Sequence, residues 1–266
     1  EAGFEPSFQA LLSAKREDSP DVDAAVAEII ADVRARGDEA LIDLTAKFDR
    51  LELKADALRF SKAEIAELIA QVSDDERAAL ELAAERIQAY HVRQMPQDQS
   101  WLEPTGARLG WRWTPVGAAG LYVPGGLASY PSSVLMNAIP AKVAGVKRLA
   151  ITVPTPDGEA NPLVLLAAEL AGVDEIYRVG GAQAGAALAF GTETIAPVDK
   201  ITGPGNAFVA AAKRRVFGKV GIDMIAGPSE ILVVADGDNE PDWIALDMLS
   251  QAEHDESAQA LLITTD

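Results

Sequence analysis

"RLAITVPTPDGEANPLVLLAAELAGVDEIYRVGGAQAGAALAFG", residues 148–191, decides how this chain folds. A short aliphatic run is followed by a helix-length apolar run that opens on Asn161-Pro162. A second short run then ends at Gly180-Gly181, before a second helix-length run. Short apolar runs bounded by turn residues read as buried strands. Strand, helix, strand, helix implies right-handed crossovers and a largely parallel sheet. The same texture continues outward: "DKITGPG" (199–205), "EILVVAD" (230–236) and "ALLITTD" (260–266) read as strands. "YPSSVLMNAIPAKVAG" (130–145), "AFVAAAKRRVFG" (207–218) and "EPDWIALDMLSQAEH" (240–254) read as helices. "GLYVPGGLASYPSS" (120–133) carries too many turn residues to read as a strand. The last predicted strand meets Asp266 with no covering helix, so the final unit reads as unfinished.

The first hundred residues read as helical. Ser19, Pro20 and Asp21 make a helix start, and "VDAAVAEIIADVRARG" repeats apolar positions at three and four up to Gly37. Ser61 with Glu64, and Ser73 with Glu76, match capping boxes ahead of apolar runs.

Composition narrows the function. The 266 residues are 48% hydrophobic and 24% charged, enough to bury a sizeable core. A net charge of −18, from 41 acidic against 23 basic residues, repels phosphate backbones and anionic head groups, so neither nucleic acid nor membrane is an expected partner. No apolar run reaches membrane-spanning length, and the expected location is cytoplasmic. With no cysteine, disulfides, thiolate metal sites and a cysteine nucleophile are excluded.

In a doubly wound sheet the loops after the strands carry function. In "VGGAQAG", Gly180 and Gly181 open a helix whose amides could meet an anion, and "ITGPGNAF" places Asn206 near another helix N-terminus. Neither is a G-x-G-x-x-G fingerprint, and tight turns explain such glycines equally well. Tyr122 either stacks on a ring or fills a gap. Ser229 has no histidine or acid nearby in sequence, and reads as a turn residue. Of the two histidines, His91 reads as solvated or packed, whereas His254 shares a helix face with Gln251 and, one turn earlier, Asp247. Residue chemistry alone would choose His254 with Asp247 or Glu253 as metal ligands, since glutamine is unusual on zinc. One histidine does not make a metal site.

Taken in order, "KREDSPDVDAAVAEIIADVRARGDEALIDLTAKFD", "PVGAAGLYVPGGLASYPSSVLMNAIPAKVAGV", "YRVGGAQAGAALAFGT", "KITGPGNAFVAAAKRRVFG", "GIDMIAGPSEILVVAD" and "DMLSQAEHD" resemble the histidinol dehydrogenase family over almost the whole chain. The resemblance implies a homodimeric, zinc-dependent enzyme that oxidises L-histidinol through an aldehyde to L-histidine with two NAD. It implies cofactor contacts at Tyr122, Gln183 and Asn206, a substrate contact at Ser229, and zinc ligands at Gln251 and His254, overruling Asp247. Through the zinc, Gln251 and His254 also count as substrate contacts. The implied fold is α/β: incomplete Rossmann-like lobes with a largely parallel sheet, preceded by an N-terminal helical region. The implied domains are residues 1–120 as the helical part of a first lobe, 121–228 as the NAD-side lobe, and 229–266 as a truncated return to the first lobe.

The family's chain is longer. Its glutamate-histidine catalytic pair and its other two zinc ligands fall beyond Asp266, so no catalytic residue is expected within this chain, which is expected to be inactive alone. Hydride leaves an alcohol carbon most easily as a base takes the hydroxyl proton. Oxidation of the aldehyde requires a tetrahedral adduct, which without cysteine must be a hydrate. Two other readings stay open: a relative that oxidises another small polar alcohol, and a non-catalytic NAD- or metabolite-binding protein.

Overall fold

A computed structural model describes residues 3–13, 20–124, 130–225, 230–253 and 258–265. The chain divides into two compact units, one of residues 21–225 and one that joins residues 1–20 to 226–266.

The larger unit begins with four helices: α2 (Pro20–Arg36), α3 (Asp38–Asp49), α4 (Lys62–Ile69) and α5 (Asp74–Val92), α1 (Phe4–Ser13) belonging to the smaller unit. Gly37, at φ +58, turns the chain between α2 and α3, where a side chain would be strained. Both predicted capping boxes are present. Ser61 Oγ accepts from Glu64 N and Ser73 Oγ from Glu76 N, while each glutamate reaches back to its serine's amide. A hairpin of β1 (Gln99–Leu102) and β2 (Arg108–Trp111) follows; its residues are exposed throughout, apart from the edge-to-face contact of Trp101 with Trp111, centroids 5.3 Å apart.

Next come β3 (Ala118–Tyr122), α6 (Pro131–Val143), β4 (Arg148–Thr152), α7 (Pro162–Leu170), β5 (Glu175–Tyr177), α8 (Gly181–Phe190), β6 (Lys200–Thr202), α9 (Ala207–Val216) and β7 (Gly221–Ile222). The five strands form one parallel sheet ordered β5-β4-β3-β6-β7. That is the doubly wound order of a Rossmann sheet with one strand fewer, so the expected α/β class holds.

One expectation fails here. The segment that looked too rich in turns contributes Gly120, Leu121 and Tyr122 to β3, the central strand. Gly120 reads as a breaker in sequence, yet a Cβ there would come within 2.9 Å of both Leu188 methyls and 3.1 Å of Val198. Glycine is used because a helix packs that closely on the strand.

Alternation along β3 divides the core. Leu121 joins Leu149, Ile151 and Ile176 beneath α6 and α7, with α4 and α5 outside them. Tyr122 joins Ala150, Tyr177 and Ile201 beneath α8 and α9, with α2 and α3 on that side. Both faces of the parallel sheet are therefore covered, as such a sheet requires.

The smaller unit carries β8 (Glu230–Ala235), α10 (Pro241–Ala252) and β9 (Gln259–Thr264). The two strands pair in parallel from Glu230 opposite Gln259 to Ala235 opposite Thr264, and α10 crosses between them.

Candidate functional site

The chain leaves β3 toward β4 on one side and later returns from β5 to β6 on the other. The direction of winding switches between β3 and β6, and doubly wound sheets bind ligands at the carboxyl ends of two such neighbours.

Tyr122 ends β3. It is 6% exposed, and its hydroxyl accepts a hydrogen bond from Gly181 N at 3.2 Å. Burial pushes its pKa up to about 12; the nearby Asp49 charge adds to this and the Gly181 amide opposes it. The phenol stays neutral at physiological pH and keeps its own proton to donate. The ring belongs to the core cluster beneath α8 and α9.

Gln183 lies in the first turn of α8, 1% exposed, folded back so closely that a Cβ on Gly181 would meet its Oε1 at 2.6 Å. That Oε1 has no hydrogen-bond partner among the described residues. Neither have Asp49 Oδ2, Thr152 Oγ1 and Thr155 Oγ1. Thr152 ends β4 and Thr155 lies in the loop after it. A buried polar atom without a partner costs about 1–3 kcal/mol, so this end of the sheet holds unused capacity for a polar ligand.

Asn206 lies beyond β6, three residues after Gly203. It caps α9, its Oδ1 accepting from the amides of Phe208 and Val209, both at 3.1 Å. Gly203, at φ +116, lies so near β3 that a Cβ would stand 2.2 Å from the Tyr122 carbonyl oxygen.

Sequence reasoning missed Lys213. It is 3% exposed, donates to the Gly203 carbonyl at 2.9 Å and pairs with Asp223. The signal was its spacing: Val209, Lys213 and Val216 fall at i, i+4 and i+7, the buried stripe of α9, where an unpaired ammonium could not stay.

In the smaller unit, Gln251 on α10 has a buried Nε2 with no hydrogen-bond partner among the described residues. Turning the amide about its last bond would place the oxygen in that buried position. Asp247, one turn earlier, is exposed. Ser229 and His254 lie outside the described residues, and among the described residues no three histidine, cysteine or acidic side chains gather as a metal site. His91 Nδ1 meets Gln94 Oε1 at 2.7 Å on the exposed end of α5.

The histidinol dehydrogenase family model matches residues 12–266. The chain belongs to the histidinol dehydrogenase family. It is 78% identical over 263 residues to a histidinol dehydrogenase of Ruegeria pomeroyi, covering 99% of this chain and 61% of that protein. It is 75% identical over 264 residues to one of Cereibacter sphaeroides, with the same shares covered. A crystal structure of histidinol dehydrogenase from Elizabethkingia anophelis superposes with a TM-score of 0.87 at 41% identity, over 94% of this chain and 57% of that one. The chain thus spans about 61% of the length of these curated histidinol dehydrogenases. No described helix is long and apolar enough to cross a membrane.

Asp49, at the end of α3, is 8% exposed, and burial raises its pKa above the ordinary 3.8 against the opposing charge of Arg50. A raised acid binds its proton more tightly folded than unfolded, so its destabilisation is absent below 3.8 and grows as pH rises above it. Asp49→Asn should therefore raise the urea midpoint at about pH 7, with the gain gone at about pH 3. An equal shift at both would show that ionisation is not the cause.

Proposed function

We propose that this chain supplies the NAD-binding part, and half of the zinc site, of a cytoplasmic, homodimeric histidinol dehydrogenase acting on L-histidinol. The observation that carries the reading is the buried Gln183 Oε1, which has no partner among the described residues, on the helix whose Gly181 amide meets the Tyr122 phenol, in a chain that belongs to this family; Asn206, capping the helix after β6, completes the reading.

Tyr122, Gln183 and Asn206 would hold NAD, which when bound accepts hydride. An orphaned acceptor at Gln183 fits a ligand rich in hydroxyl and amide donors. Tyr122 keeps a proton at neutral pH and so serves as a donor, held in place by Gly181. Asn206 spends its oxygen on the helix cap, leaving its amide donor for a ligand acceptor. Gln251 would offer the metal its amide oxygen once the amide is turned toward the buried position that Nε2 occupies without a partner among the described residues, and His254 would be the second ligand. Zinc, when bound, would act as a Lewis acid on the substrate's nitrogen atoms. Ser229 would meet the same substrate. A base that takes the carbinol proton is assigned to no residue of this chain, so residues 1–266 alone should bind NAD weakly and turn nothing over.

The test uses the whole protein that carries this sequence. About one tightly held zinc per chain by mass spectrometry, with NADH formed from L-histidinol and not from other amino alcohols, is the expected result. Turnover of another small alcohol instead would move the substrate assignment, and NAD binding without zinc or turnover would leave a binding protein.

A further inference from the structure

We infer that Lys213 and Asp223 are positioning residues that clamp the loop between β6 and α9, and so set the affinity for NAD; this rests on the NAD reading above. Both backbone polar groups of a single residue, Gly203, are held by this one ion pair. Lys213 Nζ donates to the Gly203 carbonyl at 2.9 Å, Asp223 Oδ2 accepts from the Gly203 amide at 2.9 Å, and the two side chains pair with each other. Asp223 Oδ1 also accepts from Met224 N at 2.7 Å, fixing the chain as it leaves β7.

Stability alone does not call for this arrangement. Bringing an ammonium to 3% exposure costs several kcal/mol, and an apolar side chain on the same stripe of α9 would serve the core as well or better. What the pair adds is direction. Gly203, at φ +116 beside the Tyr122 carbonyl, lies past the end of the β6 ladder, which ends at Thr202, and its two polar groups need partners from elsewhere. With both ends of that residue tied, Asn206 three residues on is held at a fixed distance from Tyr122. The carboxyl ends of β3 and β6 are thereby set relative to each other.

In the whole protein carrying this sequence, Lys213→Met is expected to raise the Kd and KM for NAD on the order of 10- to 100-fold, with kcat at saturating NAD changed less than about threefold. Lys213→Arg, which keeps charge and donors, should recover part of that loss. The double variant Lys213→Met/Asp223→Leu separates positioning from stability: its Tm should return toward wild type while its NAD affinity stays low. Where Lys213→Met does not fold, Asp223→Ala carries the same test, because it removes the acceptor of the Gly203 amide at a side chain that is 31% exposed. Unchanged NAD affinity in a folded variant, or a double variant that regains stability and affinity together, overturns the clamp. Failure of the wild-type protein to bind NAD overturns the reading of the site, and the clamp's role with it.

Discussion

Replacing Gly203 with alanine is expected to lower the stability of the larger unit by about 3 kcal/mol or more. Two costs add. A φ of +116 is adopted readily only by glycine, and the new Cβ would stand 2.2 Å from the Tyr122 carbonyl oxygen. That oxygen belongs to the backbone of the central strand, so no side chain can rotate out of the way. For a unit of this size, such a loss lowers Tm by roughly 10 °C, which a thermal melt followed by circular dichroism reads directly. Gly145→Ala is the control. Gly145 has a similar φ of +89, but the nearest atom to its Cβ is Pro115 Cγ at 3.5 Å, so only the backbone cost applies. Equal losses at the two positions would mean that the approach of loop to strand is not tight. On the NAD reading, Gly203→Ala should also abolish cofactor binding, since it forces Tyr122 and Asn206 apart.

Leu188→Ala is the second large expected effect, about 3 kcal/mol within the usual range for a fully buried leucine. Leu188 is fully buried, and it fills the space that Gly120 leaves over the centre of the sheet. The converse change, Gly120→Ala, drives a methyl into both Leu188 Cδ atoms and should cost roughly 1–3 kcal/mol. The two faults have opposite signs of volume at one contact. The double variant should therefore be less destabilised than the sum of the singles, by about 1 kcal/mol in urea titrations. Strict additivity would show that the helix and strand do not meet as described.

The residues that were legible in sequence and those that were not differ in where their partners lie. β4, β5 and β6, the helices between them and the two serine caps depend on neighbours within a few residues, and the one-dimensional pattern carries that. β3 did not, because Gly120 makes sense only once Leu188 is packed on it from far along the chain. The β1–β2 hairpin has no buried face, hence no alternation to read. Among the candidate site residues of the two units, residue types alone left Tyr122, Asn206 and Gln251 ambiguous. Family likeness named them, and the structure added the orphaned atoms of Gln183 and Gln251. Lys213 was within reach, since its place on the stripe with Val209 and Val216 marks a buried cation. The local pattern could not supply its partner, because Asp223 lies beyond the end of the helix.

The order of the sheet also dictates the order of its assembly. β4 pairs with β3 and β5 with β4 through connections between consecutive strands, whereas the β3–β6 pairing joins residues such as Ala118 and Asp199, 81 positions apart. Loop-closure entropy grows with separation along the chain, so the β3–β6 pairing is expected to form after β3, β4 and β5 have joined. A chain that has assembled only β3, β4 and β5 has Tyr122 in place but not Asn206. A ligand held by both therefore recognises finished molecules alone, and adds its binding free energy to them and not to the intermediates that precede them.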